Sequence, residues 1–284
     1  MVLNKNEQAK ILIEALPYMQ RFQGKTMVIK YGGNAMTNAK IKQAVMKDIL
    51  LLHMIGIKVV VVHGGGPDIT DALAQQGIES KFINGLRVTD KATIDTVSSV
   101  LSGKVNKGLV LDLTSLGAPA IGLSGIDGNM IQAKQLDSEL GYVGKITQIN
   151  TQVIKMALAN NFIPVIAPTG VGDNGEIYNI NADTAAVNIA AELKAEKFIL
   201  LTNIAGVMRD KEDPTSLISA MNIAEVEQLI ADGIIAGGMI PKVRACVQAM
   251  KQGLKETTII DGGLEDSLLL ELFSDVGIGT LIHQ

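Results

Sequence analysis

The sequence predicts an α/β protein, a three-layer αβα sandwich around a mainly parallel, open central sheet. Short apolar runs recur along the chain, and stretches in which apolar residues have helical spacing separate them. The run from Ile57 to Val62 is almost continuously apolar, as expected of a strand that is buried on both faces. Repeated alternation of helices and buried strands is typical of a parallel sheet that helices cover on both sides.

The predicted elements follow one another from the N-terminus. Apolar residues at helical spacing predict a helix over residues 9–20, and we expect Pro17 to kink or end it. The later predicted elements are a strand at 26–31, a helix marked by residues 41–52, a strand at 57–62, a helix at 68–76, a strand at 120–123, a helix at 151–160, a strand at 162–167, a helix at 183–193, a strand at 198–201, a helix at 241–252 and a strand at 258–260. Residues 79–89 and 170–181 interrupt this order and are interpreted as hairpins or loops, which often cover active sites.

The composition excludes several classes of function. The chain has 284 residues, of which 47% are hydrophobic and 19% charged, as in a well-packed globular protein. A net charge of −4 and the absence of tryptophan leave no basic, aromatic surface for nucleic acid. The single cysteine, Cys246, is interpreted as a core thiol in a reducing compartment. Without a membrane-length apolar stretch or a signal-peptide core, the expected location is the cytoplasm, away from membranes.

Lys30 is the most informative residue of the chain. It ends a β-branched run, and Gly32 and Gly33 follow it almost at once. Glycines let backbone N–H groups approach an anion closely, and a helix N-terminus after them adds partial positive charge. The motif G-x-x-x-x-G-K-[ST] does not occur in the chain, and the glycines after Lys30 do not form a G-x-G-x-x-G motif. The sequence therefore predicts a phosphate site of a different construction.

Two more glycine clusters lie at the ends of predicted elements. One follows the predicted strand at 57–62, and the other precedes the predicted helix at 241–252. Ligands in open parallel sheets gather at the carboxyl ends of the strands. The three glycines 64–66 are interpreted as a ligand-binding turn rather than a simple sharp turn, and His63 before them as a structural histidine. Lys242 follows Gly237 and Gly238 at a predicted helix start, where an anion site and an ordinary surface lysine are both plausible.

Polar residues in the two interruptions are further candidates. Asn179 and Asn181 alternate into Asp183, which is either a helix cap or part of a polar edge that faces a ligand. Arg87 is the best candidate for gripping a carboxylate, because its planar guanidinium can bind two oxygens at once; the alternative is a solvated hairpin arginine.

These residues suggest phosphoryl transfer without a catalytic base. In such a reaction the charge of the transferred group must be neutralised, and its approach must be held in line. Two lysines from distant parts of the chain could flank the donor and acceptor oxygens. A carboxylate acceptor is already ionised at pH 7 and needs no base. The chain shows no Ser-His-Asp set and no cluster with zinc-ligand spacing.

Five motifs, in this order and over almost the whole chain, resemble the amino-acid kinase family, and within it the members that phosphorylate N-acetyl-L-glutamate. They are VIKYGGNAM at 28–36, VVHGGGP at 61–67, NGLRVT at 84–89, YNINAD at 178–183 and GGMIPK at 237–242. The resemblance implies the amino-acid kinase fold with two lobes. It implies an N-terminal helical segment at 1–24, an N-terminal lobe at 25–194 for the amino-acid substrate and dimerisation, and a C-terminal lobe at 195–284 for ATP. The implied reaction is ATP-dependent phosphorylation of the side-chain carboxylate of N-acetyl-L-glutamate, the second step of arginine biosynthesis.

The resemblance also implies the roles of individual residues. Lys30 and Lys242 would stabilise the transition state, and Asp183 would orient both ammonium groups. The residues implied to bind ligands are Gly32, Gly33, Thr202 and Asn203 for ATP, and Gly64, Gly65, Arg87 and Asn179 for the amino-acid substrate. The two substrate-binding glycines would hold the reacting carboxylate through their backbone N–H groups. Magnesium is expected mainly on ATP phosphate oxygens and water, with no protein ligand.

The segment from Leu16 to Lys25 resembles the extra N-terminal helix of the arginine-inhibited members. In those, the helices interlace dimers into a hexameric ring, so a hexamer (a trimer of dimers) is favoured here over a dimer, and L-arginine is the expected inhibitor. The alternative is a helix that packs on its own subunit. The residues implied in an arginine site are Tyr18, Lys211, Glu271 and Gly279.

The chain departs from the family pattern at three positions. Asn203 stands where an aspartate is common, Ile126 where a lysine is frequent, and Asp266 where a histidine often precedes the last Leu-Leu-Glu segment. Two other functions stay open. One is phosphorylation of N-acetyl-aminoadipate, because one methylene in a substrate pocket is invisible in a sequence. The other is a non-catalytic protein that senses ATP or arginine on the same scaffold, which the presence of all the implied catalytic residues disfavours.

Overall fold

The computed structural model describes residues 4–210 and 212–284. The helices are α1 Lys5–Phe22, α2 Asn34–Thr37, α3 Ala39–Met54, α4 Gly66–Gln75, α5 Lys91–Ser99, α6 Asn106–Ser115, α7 Gln152–Ala159, α8 Ala182–Glu192, α9 Val226–Ala231, α10 Met239–Lys251 and α11 Ser267–Leu272. The strands are β1 Thr26–Tyr31, β2 Lys58–His63, β3 Phe82–Ile83, β4 Leu86–Arg87, β5 Ala120–Ser124, β6 Ile131–Gln135, β7 Gly144–Ile149, β8 Ile163–Ala167, β9 Thr169–Val171, β10 Ile177–Asn179, β11 Lys197–Thr202, β12 Ala220–Asn222, β13 Glu256–Asp261 and β14 Thr280–His283. A π-helical segment, Val100–Val105, joins α5 to α6.

A mainly parallel sheet forms the centre of the fold. Within the described residues it has eight strands in the order β12-β14-β13-β11-β1-β2-β8-β5. All neighbours from β13 to β5 are parallel, whereas β14 runs antiparallel to β13. The register pairs Lys30 of β1 with Val62 of β2 on one side and with Leu200 of β11 on the other. The carboxyl ends of these three strands therefore meet at one edge.

Helices cover both faces of this sheet because successive strand residues point to opposite sides. In β1, Met27 and Ile29 belong to an apolar cluster that includes residues of α3, α4, α6 and α11. Val28, between them, belongs to a second cluster that includes residues of α7, α8 and α10. The result is a three-layer αβα sandwich with a mainly parallel central sheet, and the predicted fold class is confirmed.

The two interruptions of the sequence pattern both contain hairpins. Strands β3 and β4 pair antiparallel around Asn84 and Gly85, whose φ angles of 50° and 79° suit a type I′ turn. Strands β9 and β10 also pair antiparallel, and β9 continues through β6 to β7 in a second sheet. The first hairpin lies within the predicted range 79–89, and the second begins at Thr169, one residue before the predicted range 170–181.

The first helix differs from the prediction. It runs from Lys5 to Phe22 and continues past Pro17, so Pro17 does not end it. Pro17 lacks an N–H donor, yet it lies on an exposed part of the helix where water can satisfy the freed carbonyl. The start at residue 5 follows from a capping box, in which Asn4 accepts the N–H of Glu7 and the Glu7 side chain accepts that of Asn4. Among the described residues, no helix combines the length and apolar character needed to cross a membrane.

Candidate active site

Lys30 and Lys242 meet at one carboxylate, that of Asp183. Lys30 lies near the carboxyl end of β1, Asp183 in the first turn of α8, and Lys242 at the fourth position of α10. The Nζ atom of Lys30 is 3.0 Å from Oδ1 of Asp183, and the Nζ atom of Lys242 pairs with Oδ2. The lysine side chains are 12% and 30% exposed, so both ammonium groups are partly desolvated but still accessible. The structure thus brings the three residues together.

Asp183 holds its charge in this cluster. Burial alone would raise the pKa of Asp183, but the positive charges of Lys30 and Lys242 outweigh it and keep that pKa below its ordinary value. The helix-cap alternative for Asp183 is wrong, because Asn181 is the cap of α8 and its Oδ1 accepts the N–H of Thr184 at 3.0 Å. The carboxylate is therefore available to orient the two ammonium groups.

Gly32 and Gly33 lie directly against this cluster. A Cβ atom at Gly32 would be 2.6 Å from the Nζ atom of Lys30, so a larger residue would displace the ammonium group from this position. Gly33 has a φ angle of 70°, and a Cβ atom there would collide with Oδ1 of Asn203. The turn after β1 and the turn after β11 therefore approach each other closely beside Lys30.

Thr202, one of the residues expected to bind ATP, has a structural contact instead. Its hydroxyl is 2.8 Å from the carbonyl oxygen of Ile204 and 3.3 Å from that of Ile260. The side chain thus stabilises the turn after β11 that carries Asn203. A nucleotide contact through the Thr202 hydroxyl does not fit this arrangement.

The glycine turn after β2, residues 64–66, requires one correction. The N–H of Gly64 donates to the carbonyl of Tyr31 at 2.8 Å and so extends the pairing of β1 with β2. The prediction that this N–H holds the reacting carboxylate is wrong, because the donor is already engaged. Gly66 is the first residue of α4, and N–H groups in the first turn of a helix have no intrahelical acceptor. The expected carboxylate contact moves to Gly65 and Gly66.

Arg87 is buried beside this glycine turn. It is only 7% exposed, so the alternative of a solvated hairpin arginine is wrong. Its guanidinium donates to the carbonyl of Gly66 and the hydroxyl of Thr70, both at 2.9 Å, and to the hydroxyl of Ser80. These contacts fix the guanidinium at the wall of a cavity of about 170 Å³.

Asn179 lines the same cavity from the opposite hairpin. Its side-chain amide donates to the hydroxyl of Thr89 at 3.1 Å, and that hydroxyl donates to the carbonyl of Arg87 at 2.8 Å. The residues that surround this small space are the glycine turn, the two hairpins and apolar side chains such as Leu101 and Val143. The cavity is thus shaped for a small polar molecule with an apolar part.

A second cavity, of about 350 Å³, lies between α1, the start of β11 and α11. Tyr18, Glu271 and Gly279 line it, so three of the four residues expected in an arginine site come together; Lys211 lies outside the described residues. Glu271 is buried. Its carboxylate accepts a hydrogen bond from the ammonium group of Lys197 at 3.2 Å and another from the backbone N–H of Ile278 at 3.0 Å. Sequence reasoning missed Lys197, because a lysine at the first position of a strand gives no pattern signal.

A family model described as the amino acid kinase family matches residues 25–261. The chain belongs to the amino acid kinase family. Its predicted fold and family are both confirmed.

Named relatives are similar to this protein over nearly the whole of its chain. The acetylglutamate kinase of Moorella thermoacetica is 48% identical and covers 99% of this chain and 99% of its own length. That of Clostridium beijerinckii is 50% identical and covers 99% of this chain and 100% of its own length. Among solved structures, N-acetylglutamate synthase from Neisseria gonorrhoeae complexed with coenzyme A and N-acetyl-glutamate matches with a TM-score of 0.85 at 26% identity, over 97% of this chain and 63% of that chain. The predicted likeness to N-acetylglutamate kinases is therefore confirmed.

Proposed function

We propose that this amino acid kinase transfers the γ-phosphoryl group of ATP to the side-chain carboxylate of N-acetyl-L-glutamate. The products are ADP and N-acetyl-L-glutamyl 5-phosphate, and the reaction is the second step of arginine biosynthesis. Near-complete coverage by acetylglutamate kinases at about half identity supports the substrate. The observation that carries the chemistry is the cluster of Lys30, Asp183 and Lys242 beside the cavity that Arg87 and Asn179 line.

The substrate binds in the small cavity with its two carboxylates at different walls. A guanidinium has five N–H donors, and the protein contacts of Arg87 use three of them. Arg87 can therefore still bind the α-carboxylate, together with Asn179. The side-chain carboxylate then lies at the glycine turn, where Gly65 and Gly66 offer backbone N–H groups next to Lys30.

ATP places its phosphates between Gly32–Gly33 and the N-terminus of α10. Backbone N–H groups at a glycine turn and at a helix start favour phosphate oxygens. The close approach of Gly33 to Asn203 defines one wall of this region. The division into lobes at 25–194 and 195–284 stays a prediction that agrees with this placement of the two substrates.

In the reaction, an oxygen of the substrate carboxylate forms a bond to the γ-phosphorus as the bond to the bridging oxygen of ADP breaks. The electron pair of that bond leaves with ADP, and no proton has to move because the acceptor is already ionised. Negative charge spreads over the transferred group, and the ammonium groups of Lys30 and Lys242 stabilise it. Asp183 holds both ammonium groups in place before ATP arrives.

Magnesium is proposed to bind mainly through phosphate oxygens of ATP and water, where it neutralises part of the phosphate charge. Within the described part of the chain, no group of three or more His, Cys, Asp or Glu side chains is arranged to hold a metal ion. The carboxylate of Asp183 already pairs with two ammonium groups, which makes it an unsuitable direct ligand.

The function is tested with purified protein, ATP and magnesium, by measuring ADP release and trapping the acyl phosphate with hydroxylamine. We expect kcat/KM for N-acetyl-L-glutamate to exceed that for N-acetyl-L-2-aminoadipate by about tenfold or more, the usual discrimination for one methylene. Glutamate, aspartate and UMP serve as further acceptors. Turnover of N-acetyl-L-glutamate no faster than of these acceptors would contradict the proposal, and ATP binding without turnover would favour the sensing alternative.

We also propose that L-arginine inhibits this kinase by binding in the cavity beside α1. We further propose that α1 joins dimers into a hexamer, and that the enzyme acts in the cytoplasm. The buried carboxylate of Glu271 suits a guanidinium, and the ammonium group of Lys197 suits a carboxylate. Exposed apolar side chains on α1 suit contact with another subunit. They are Ile11, Leu12, Ile13 and Leu16.

A further inference from the structure

We propose that His63 and Asn106 act as a pair of positioning residues that orients the glycine turn toward the reacting carboxylate. The inference rests on the proposed function, since it concerns the same site. Both residues act through the backbone of Gly64, and neither is placed among the groups that bind the substrates.

His63 connects the glycine turn to the core. It is the last residue of β2, it is fully buried, and its Nδ1 atom lies 2.7 Å from the carbonyl oxygen of Gly64. Its Nε2 atom lies 3.2 Å from the side-chain amide nitrogen of Asn106. Burial lowers the pKa of His63 to about 4, so the imidazole is neutral at pH 7 and has one donor and one acceptor nitrogen.

Asn106 determines which nitrogen is the donor. Its amide nitrogen also contacts the carbonyl oxygens of Val165 at 2.8 Å and Leu123 at 3.1 Å. Both partners accept, so this atom is the NH₂ group. Its two hydrogens face three acceptors and one of them is shared, and Nε2 of His63, which faces this donor, is the nitrogen without a proton. The proton of the imidazole therefore sits on Nδ1, which donates to Gly64. One tautomer satisfies every contact from Asn106 to the glycine turn.

The contact to the Gly64 carbonyl controls the direction of the next N–H group. A trans peptide is planar, and its C=O and N–H point in opposite directions. Because the buried His63 holds the carbonyl of Gly64, the N–H of Gly65 points away from His63, toward the cavity that the glycine turn lines. Three successive glycines have a wide choice of backbone conformations, and this restraint selects the one that presents a donor.

The helix that carries Asn106 has an irregularity that suits this role. The π-helical segment Val100–Val105 directly precedes Asn106, and residues five apart lie one above the other in a π turn. Leu101 and Asn106 therefore both face the glycine turn: a Cβ atom at Gly65 would lie 2.7 Å from Cδ2 of Leu101. In this stretch of helix, Leu101 packs against Gly65, and Asn106, five residues later, contacts His63.

The kinetic test compares Asn106→Leu and His63→Leu with His63→Asn, whose amide nitrogen lies near the position of Nδ1 and keeps the donor. We expect both leucine variants to lower kcat/KM for N-acetyl-L-glutamate by about tenfold or more. KM for ATP should stay within about twofold, and His63→Asn should recover most of the loss. Thr96→Val is the matched control, because it removes a hydrogen bond of 2.9 Å to Gln76 from the same helical stretch without a link to the glycine turn.

A spectroscopic measurement separates positioning from simple core stability. The chain has three histidines, so long-range ¹⁵N–¹H spectra can resolve each imidazole. We expect His63 to be neutral with its proton on Nδ1 between about pH 6 and 8, and Asn106→Leu to change this tautomer balance.

A proton on Nε2, an ordinary titration of the His63 imidazole, or wild-type kcat/KM in both leucine variants would overturn the positioning role. Absence of turnover in the unaltered chain would instead contradict the proposed function, and the tautomer measurement still decides whether the His63–Asn106 contact exists.

Discussion

The ammonium group of Lys30 lies 3.0 Å from Oδ1 of Asp183, in a site where neither side chain is fully exposed. Lys242 contacts the other oxygen of the same carboxylate. Two positive charges thus share one negative partner, and the cluster keeps a net positive charge. Charge of this kind, fixed in place before the reaction, stabilises a phosphoryl group in transfer without any rearrangement of the protein.

Removal of either lysine should therefore lower turnover. We expect Lys30→Ala and Lys242→Ala each to reduce kcat by about 10²-fold or more, the usual loss when one fixed electrostatic group is removed. Steady-state kinetics with saturating ATP and N-acetyl-L-glutamate measure the effect. Lys255→Ala is the control, because Lys255 is also paired with a carboxylate, Glu196, but is 61% exposed and lies just before the amino end of β13, whereas the site lies at the carboxyl ends of the parallel strands. Near-normal turnover in either active-site variant would remove that lysine from the mechanism.

Asp48 should make the stability of this protein depend on pH. It is a buried residue of α3, and its Oδ2 accepts the N–H of Leu268 at 3.3 Å. Burial, and next the charge of Asp266, raise the pKa of Asp48 from 3.8 to about 7. Between these values the folded protein holds a proton that the unfolded chain has released. The free energy of unfolding therefore falls as pH rises through this range, by about 1.4 kcal/mol for each pH unit.

Asp48→Asn removes this titration and provides the comparison. Urea unfolding at about pH 5 and pH 7 should show a wild-type free energy of unfolding that drops relative to the variant by on the order of 2 kcal/mol. Asp232→Asn, at an exposed carboxylate, should leave the pH dependence of the wild type unchanged. Parallel pH profiles for wild type and Asp48→Asn would show that this carboxyl titrates normally.

The cavity beside α1 predicts a separable effect on regulation. L-arginine should slow the wild-type enzyme, and Glu271→Gln should raise the arginine concentration needed by about tenfold or more, because the variant loses a charge-assisted contact. The rate without arginine should stay close to that of the wild type, since Glu271 lies in α11 and not at the lysine cluster. Glu227→Gln, at an exposed pair with Arg244, is the control. Identical rates with and without arginine in the wild type would refute the inhibition.

Helix α1 predicts an effect on assembly. Leu12 and Ile13 are 65% and 67% exposed, which is costly unless another surface covers them. We expect light scattering to find a hexamer for the wild type and a dimer for Leu12→Glu, because a buried unpaired charge at the contact is unfavourable. Gln20→Glu, at an exposed polar position of the same helix, should leave the mass unchanged. A wild-type protein that is only dimeric would contradict the assembly role.

Pattern reasoning succeeded where apolar periodicity is strong and local. Strands β1, β2 and β11 were predicted to within one residue at each end, because short, mainly apolar runs have few alternatives. It missed α5, the π-helical segment and α6. There the wider π turn shifts the apolar face, so one 3.6-residue period does not fit the whole stretch. It also missed β14 and β12, whose pairing depends on strands far away in the sequence.

By itself, the sequence determined the fold class and the family and predicted candidate residues for the site, because each of these depends on local pattern or motif. Only the tertiary structure decided which of those groups are available. In the folded protein Lys30 pairs with Asp183. The N–H of Gly64 donates to the carbonyl of Tyr31, and the carbonyl of Gly64 accepts from His63. A motif shows which donors and charges exist, but long-range strand register and helix packing determine which of them already have a partner and which remain for a substrate.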